Sequence, residues 1–314
     1  MLNDNWKGLN PAIMVPLNDD YSINEQELRN YVEWLIQYEH ITGLVTNGHT
    51  GEIGGFTREE RARITRIVAD EAKGRVRIIS GVSAEGTIDA IEDAKAAQEA
   101  GADGILLMPP HVWLRFSMKQ QSAIQFIKDV ADAIDIGIVI HLYPANSKGF
   151  YPVQTLLEMC KIPNVKAIKM GTRDEALYER DIRILREKAP HVMLWTCHDE
   201  YICTSLLNPG MDGALIGFCG CVPELINNMY QKVLEGNLFE IREANEPVQR
   251  MSAAIYGTGE PTGEAHARMK EALYQRKVFS SPLMRKPLIP LSQEEKDSVA
   301  EAIKLGGVKT VDLV

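Results

Sequence analysis

The feature that most constrains this chain is a repeated switch in the spacing of its apolar residues. Eight short apolar runs, each the length of a buried strand, are separated by stretches with helical amphipathic spacing. The runs are residues 11–16, 43–46, 76–81, 104–108, 136–143, 165–170, 192–197 and 213–218. Strands that alternate with helices form parallel βαβ units. Eight such units predict an α/β protein with a closed (β/α)8 TIM barrel.

The stretches between the runs carry helix signals. They cover residues 25–38, 58–73, 87–100, 119–133, 174–188 and 223–234. Thr57, with Glu60 three residues later, predicts a capping box at the second helix. Ser22 or Asn24 is the expected cap of the first helix, and Thr172 that of the helix after the sixth strand. An open doubly wound sheet is the competing fold, but no Gly-x-Gly-x-x-Gly follows the first strand.

The strand pattern stops near Gly236. Three further stretches, residues 238–252, 263–276 and 293–305, have helical spacing without intervening apolar runs. The sequence therefore predicts two parts, a barrel over residues 1–235 and a helical C-terminal appendage over residues 236–314 that packs on the barrel.

Composition excludes several classes of protein. The net charge is -9 and the pI is about 5.4, and the absence of a Lys/Arg cluster argues against nucleic-acid binding. No apolar stretch approaches the roughly 20 residues that cross a bilayer, and residues 1–7 lack the apolar core of a signal peptide. Five cysteines at mostly apolar positions indicate reduced thiols, so we expect a cytoplasmic protein. Cys219-Gly-Cys221 lacks the spacing of a metal-binding pair, and we expect no metal or other cofactor.

The active site of such a barrel lies at the C-terminal ends of its strands. Lys169 stands at the end of the sixth run. Burial there disfavours the ammonium form, and a free amine in a pocket condenses with a ketone. The position of Lys169 therefore indicates Schiff-base chemistry on an oxo acid.

Four of the seven histidines follow strand ends: His49, His111, His141 and His198. Imidazole is well suited to proton transfer near neutral pH. Each of the four alone is also compatible with a loop or capping role. A metal site that combines them with Asp199 is a further alternative, although their spacing does not support it.

Two local patterns suggest how a substrate is held. Gly48-His49-Thr50-Gly51 is rich in turn formers, and such a loop presents backbone N–H groups and a hydroxyl to a carboxylate or phosphate. A simple tight turn explains it equally well. His141 and Tyr143 lie two residues apart on one strand, so both face the same side, and we expect that side to be the barrel interior. Either residue can transfer protons to a substrate bound on Lys169, although core packing is the alternative.

Several motifs resemble the dihydrodipicolinate synthase / N-acetylneuraminate lyase superfamily of pyruvate-dependent class I aldolases. The resemblance covers nearly the whole chain. It rests on Gly48-His49-Thr50-Gly51-Glu52, on Phe56-Thr57-Arg58-Glu59-Glu60-Arg61, on Ile168-Lys169 with Gly171 and Asp174, and on Arg285-Lys286-Pro287-Leu288. The resemblance implies that Lys169 forms the imine with pyruvate. It also implies that Thr50 and the N–H groups of its loop hold the pyruvate carboxylate, and that the backbone carbonyl of Leu215 faces the ligand.

The departures from the family pattern concern its proton relay. His141 occupies the usual position of the strand-five tyrosine, and Tyr143 stands just before Pro144 instead. The first loop threonine of the family is His49 here, and the tyrosine that synthases borrow from a neighbouring subunit falls near His111. The arginine that grips a second carboxylate in the synthases is replaced by Asn146. A true dihydrodipicolinate synthase is therefore disfavoured, and we identify the chain as a divergent member.

The sequence thus predicts a Schiff-base-forming lyase or aldolase that acts on pyruvate or another 2-oxo acid, and on an aldehyde. We expect Tyr143, with His141 as the competitor, to be the proton donor and acceptor, and His49 to support it. Gly48, Thr50, Gly51, His111, Asn146 and Leu215 are the expected substrate-binding residues. The alternatives are a 2-oxo sugar-acid dehydratase or hydratase-aldolase on the same imine, a metal-dependent aldolase, and a non-catalytic oxo-acid-binding protein. Family resemblance implies a homo-oligomer, a tetramer or a dimer.

Overall fold

The chain folds into a (β/α)8 TIM barrel followed by C-terminal helices. The computed structural model describes residues 6–257 and 262–314. The described residues form eight strands: β1 Gly8–Pro11, β2 Gly43–Thr46, β3 Arg77–Val82, β4 Gly104–Leu107, β5 Gly137–Leu142, β6 Val165–Met170, β7 Met193–Thr196 and β8 Gly213–Ile216. All pair in parallel in the order β1-β8-β7-β6-β5-β4-β3-β2. Two isolated parallel bridges, Leu9 to Ile41 and Ala12 to Val45, link the two ends of that order. The predicted barrel is confirmed.

Helices cover the outside of the barrel and follow it. They are α1 Glu25–Ile36, α2 Arg58–Ala72, α3 Thr87–Glu99, α4 His111–Phe116, α5 Gln120–Ala131, α6 Val153–Met159, α7 Glu175–Lys188, α8 Ile202–Leu206, α9 Phe218–Cys221, α10 Pro223–Glu235, α11 Leu238–Tyr256, α12 Gly263–Gln275 and α13 Gln293–Leu305. Four short helices, α4, α6, α8 and α9, were not predicted. Helices of four to seven residues span too few turns for a periodic signal to stand out.

Two local predictions were wrong. The first strand covers Gly8–Pro11 rather than residues 11–16. The run from Ala12 to Val15 is buried, but only Ala12 forms a bridge, and the Ile13 N–H donates to the Val45 carbonyl oxygen at 2.9 Å. Beyond Ile13, the apolar character of the run reflects burial and not pairing. The cap of α7 is Asp174, whose side chain accepts from the N–H of Leu177, and not Thr172.

The N-terminal end of the barrel is closed by Trp6. Its ring stacks on Trp195 with centroids 6.2 Å apart, and the Trp195 indole N–H donates to the Trp6 carbonyl oxygen at 2.9 Å. A Cβ atom at Gly104 or Gly137, the first residues of β4 and β5, would lie 2.7 or 2.6 Å from this ring. The barrel interior is thus filled at this end, and open space is left at the C-terminal ends of the strands.

The C-terminal helices share a hydrophobic core with the barrel. Apolar residues of α11, α12 and α13 belong to the same buried cluster as those of α1 and α2. A buried ion pair also joins the two parts, because Lys270 of α12 donates to Glu52, in the segment after β2, at 2.8 Å. The division into parts at residue 235 remains a prediction. Within the described residues, we find no helix that is both long and apolar enough to cross a membrane.

Candidate active site

A cavity of about 570 Å³ opens at the C-terminal ends of the barrel strands. Lys169 lines it from the end of β6, between His141 on β5 and Trp195 on β7 in the strand register. The chain can turn beside β5 after Lys169 because residue 171 is glycine. A Cβ atom at Gly171 would lie 2.1 Å from the carbonyl oxygen of Leu142. Lys169 itself is half-buried.

The loop after β2 forms another part of the cavity wall. It begins at Asn47, which adopts a left-handed conformation with φ of 53° and donates from its side chain to Thr65 Oγ1 and Ser80 Oγ. Gly48, His49 and Thr50 line the cavity, whereas Gly51 packs against backbone outside it. A Cβ atom at Gly217 would lie only 2.4 Å from Thr50 Oγ1, so the absence of a side chain after β8 makes room for this hydroxyl.

Tyr143, His49 and His141 form a polar cluster beside Lys169. The Tyr143 hydroxyl lies 3.2 Å from His49 Nε2. The His141 ring centroid is 4.8 Å from that of Tyr143 and 5.6 Å from that of His49. The Nδ1 atom of His141 has no hydrogen-bond partner among the described residues. Both residues of the predicted pair, His141 on β5 and Tyr143 just after it, therefore line the cavity.

These three side chains are neutral at neutral pH. Removal from bulk water, assisted by the positive charge of Lys169, lowers the pKa values of His49 and His141 below the ordinary histidine value. Burial raises the pKa of Tyr143 above that of a free phenol. The hydroxyl of Tyr143 thus keeps its proton, and the neutral imidazole of His49 lies close enough to accept a hydrogen bond from it.

Besides Gly51, four residues singled out from the sequence lie outside the cavity wall. His111 begins α4, is about half exposed, and has its ring centroid 6.4 Å from that of His49. Asn146 is exposed, and Leu215 is buried inside the barrel. His198 is fully buried, with Nδ1 3.2 Å from Thr196 Oγ1. Only His49 and His141 of the four strand-end histidines therefore share the cavity. Among the residues that the structure describes, no group of three or more His, Cys, Asp and Glu side chains could hold a metal ion.

The cavity wall includes residues to which the sequence analysis gave no substrate role. Arg173 and Asp199 lie on the loops that follow β6 and β7. Both belong to strand ends, so the strand-end rule contained a signal for them. His266 reaches the cavity from α12, and burial lowers its pKa to about 4. No local sequence signal marks His266, because only the packing of α12 brings it to the barrel mouth.

Asp199 is held in a fixed orientation. Its Oδ1 accepts a hydrogen bond from the backbone N–H of Phe218 at 2.7 Å. Burial raises the pKa of this carboxyl to about 6, although the Phe218 hydrogen bond and Lys169 act in the opposite direction. Asp199 is therefore a group whose charge changes close to neutral pH.

Comparisons with known proteins agree with this architecture. A sequence profile of the Dihydrodipicolinate synthetase family matches residues 5–305. The 4-hydroxy-tetrahydrodipicolinate synthase of Neisseria meningitidis serogroup B is 27% identical over 298 residues, which cover 94% of this chain and 97% of that protein. The corresponding synthase of Bartonella bacilliformis is 26% identical over 302 residues, with coverage of 96% and 98%.

Solved structures show the same fold. Dihydrodipicolinate synthase from Aquifex aeolicus superposes with a TM-score of 0.85 at 20% identity, covering 97% of this chain and 99% of that one. A prophage protein of the dihydrodipicolinic acid synthase family from E. coli K12, solved in complex with pyruvate, gives a TM-score of 0.86 at 22% identity, with coverage of 96% and 99%. The profile match confirms the resemblance predicted from the motifs. The chain belongs to the dihydrodipicolinate synthetase family and is an enzyme of the lyase class.

Proposed function

We infer that this enzyme is a class I aldolase that forms an imine between Lys169 and pyruvate or a related 2-oxo acid. The supporting observation is the shared cavity, where Lys169 faces the Thr50 loop and the Tyr143–His49 pair. The free amine attacks the ketone carbon, and the resulting carbinolamine loses water to give a protonated imine. A 2-oxo acid supplies the carboxylate that the Thr50 hydroxyl and the neighbouring N–H groups are able to bind.

Tyr143 is the proposed proton carrier. A proton leaves C3 of the imine, the C–H electron pair becomes the C2–C3 π bond of an enamine, and the imine π pair moves to nitrogen. The enamine then attacks an aldehyde carbon, whose oxygen takes up a proton. As the Tyr143 oxygen takes the C3 proton, its own hydroxyl proton passes to His49 Nε2, 3.2 Å away, so the phenol stays neutral and the positive charge of the imine moves to the imidazole. The same two transfers in reverse protonate the aldehyde oxygen and return His49 to its neutral form.

Trapping with borohydride tests the imine. The protein is treated with pyruvate and sodium borohydride, and its intact mass is measured. We expect a permanent adduct in the wild type and in Lys166→Ala, a control on the same strand, but none in Lys169→Ala. A wild type that gains no adduct with pyruvate or other 2-oxo acids contradicts the proposal, as does an adduct that persists in Lys169→Ala.

Dehydration of a 2-oxo sugar acid is the second candidate, and Asp199 is the observation that favours it. A departing hydroxide needs a proton donor, and a carboxyl with a pKa of about 6 supplies one. The products separate the two reactions. Incubation with a 3-deoxy-2-oxo sugar acid releases pyruvate if the enzyme cleaves the C3–C4 bond, whereas dehydration releases no pyruvate and lowers the substrate mass by one water.

A further inference from the structure

The loop that carries Lys169 also brings an arginine into the cavity. Arg173 follows Lys169 by four residues and lines the same wall, with its side chain 18% exposed. Its positive charge is one of the influences that lower the pKa of His141, which places the guanidinium within electrostatic reach of the residues around Lys169. Lys169 and Arg173 thus line one cavity, in which a substrate that is bound at Lys169 and extends beyond C3 can meet the guanidinium.

The hydrogen bonds of Arg173 leave donors available. Nε donates to Glu200 Oε1 at 2.6 Å, and Nη2 makes a long contact of 3.5 Å with Glu200 Oε2. Nη1 contacts the carbonyl oxygen of Gly171 at 3.4 Å. A guanidinium has five N–H donors, so two remain without an acceptor among the described residues. Glu200 does not line the cavity, and its ion pair fixes Arg173 from behind.

The charge of the cavity wall favours an anionic occupant. The chain as a whole carries a net charge of -9, yet the described residues of the wall include more cations than carboxylates. The cations are Lys169, Arg173, Arg285 and Lys286, and the carboxylates are Glu52 and Asp199. Glu52 is also paired with the fully buried Lys270, which leaves it little attraction for a ligand cation. Arg173 and Arg285 are likewise paired, with Glu200 and Glu60, but these two glutamates do not line the cavity, so the charged groups that face a ligand are mostly cations.

We propose that Arg173 binds a second carboxylate of the substrate, so that the aldol adduct is a 2-oxo acid with a carboxylate at its far end. This inference rests on the proposed imine at Lys169. The position at which the synthases carry an arginine for a second carboxylate holds Asn146, which is exposed and outside the cavity. Arg173 instead brings a planar guanidinium with N–H donors to the cavity from a different loop, the one that follows β6 rather than β5.

Borohydride trapping of 2-oxo acids of increasing length tests the role of Arg173. The probes are 2-oxoglutarate, 2-oxoadipate and 2-oxopimelate, each compared with the unbranched 2-oxo monocarboxylic acid of the same carbon number. The concentration for half-maximal trapping is read from the intact mass. At one of the three chain lengths, we expect the wild type to trap the dicarboxylate at about a tenfold lower concentration than the monocarboxylate. A factor of this size matches the free energy of a hydrogen bond to a charged group. Arg173→Gln removes that preference, whereas Arg250→Gln, which changes an exposed arginine on α11, retains it.

A double variant guards against misfolding. Arg173→Gln leaves the Glu200 carboxylate without its partner. The double variant Arg173→Gln with Glu200→Gln removes both charges of the ion pair, and we expect it to lack the preference for dicarboxylates as well. A wild type that traps pyruvate but shows no preference for dicarboxylates at any length overturns the proposal for Arg173. A preference that survives in both Arg173 variants overturns it as well. A wild type that traps neither pyruvate nor any probe contradicts the imine itself, so the two failures are distinguishable.

Discussion

The two walls of the cavity beside Lys169 differ in charge. The wall formed by His49, His141 and Tyr143, here called the neutral wall, carries side chains that are uncharged near pH 7. The wall formed by Arg173 and Asp199, here called the charged wall, carries an ion-paired guanidinium and a carboxyl with a pKa of about 6. Because β6 lies between β5 and β7, Lys169 stands between the two. On our proposals, the neutral wall transfers protons and the charged wall recognises the charge of the substrate, with Lys169 between them.

Substitution of the neutral wall is the change with the largest expected effect. Tyr143→Phe should slow deuterium exchange into the methyl group of pyruvate by on the order of 10²- to 10⁴-fold, because the proton carrier is removed. His141→Ala should have a smaller effect, since His141 makes no hydrogen bond to Tyr143. The measurement is proton NMR in D2O at saturating pyruvate. Full exchange in Tyr143→Phe with loss in His141→Ala would reverse the two assignments.

The support of the neutral wall is tested by Lys270→Met. Glu52 follows the Thr50 loop directly, and its only charged partner in the described residues is the buried Lys270. Removing one member of a buried ion pair leaves an uncompensated charge, so the free energy of unfolding should fall by about 3–5 kcal/mol. Urea unfolding measures the loss. Adding Glu52→Gln should recover part of it, and a single variant as stable as the wild type would show that the pair contributes nothing.

The two walls should respond oppositely to pH. The pKa of Asp199 is raised from 3.8 to about 6 on folding, so its contribution to stability is present at low pH and lost as pH rises between about 4 and 6. The pKa of His141 is lowered on folding, so stability rises with pH up to the unfolded value of 6.5.

Variants at these two residues separate the effects. Relative to the wild type, Asp199→Asn should gain about 2 kcal/mol of stability between pH 4 and pH 6. His141→Gln should lose stability relative to the wild type over the same pH range. Urea unfolding at several pH values provides the measurement. Parallel pH curves for the wild type and Asp199→Asn would show that this carboxyl titrates normally.

A substitution where the end of β8 contacts the Thr50 loop has the smallest expected effect. In Gly217→Ala, the new methyl group would lie 2.4 Å from Thr50 Oγ1 and must displace it. We expect the pyruvate concentration for half-maximal trapping to rise about tenfold, because a displaced carboxylate ligand weakens binding. Gly54→Ala is the matched control, since a Cβ atom there has no neighbour within 4 Å although Gly54 lines the same cavity. Equal trapping by both variants would argue against a role for Thr50.

Much of the fold was predictable because its signals are local. The alternation of apolar runs and amphipathic stretches gave all eight strands, and β2 and β6 have the predicted bounds. The strand-end rule also placed Lys169, His49 and Tyr143 at one end of the barrel. That rule identifies which end of a strand a residue occupies, but not where its side chain points once the strand has ended. His198 is consequently buried and does not line the cavity, whereas Arg173 lines it although the sequence did not single it out.

The C-terminal helices show the limit of such prediction. Their helical spacing was visible in the sequence, but the contacts that bring His266 and Lys270 to the barrel depend on how α12 packs. No pattern within a helix specifies the loop that it meets more than 200 residues away in the chain. The parts of the site contributed by α12 therefore required the structure.

The most direct test of the central claim is to locate the trapped substrate on the chain. After reduction with borohydride in the presence of pyruvate, the protein is digested and its peptides are fragmented in a mass spectrometer. We predict a reduced pyruvate adduct on Lys169. An adduct found instead on Lys286, the other lysine that lines the cavity, would contradict the assignment of the imine and with it the roles of both walls.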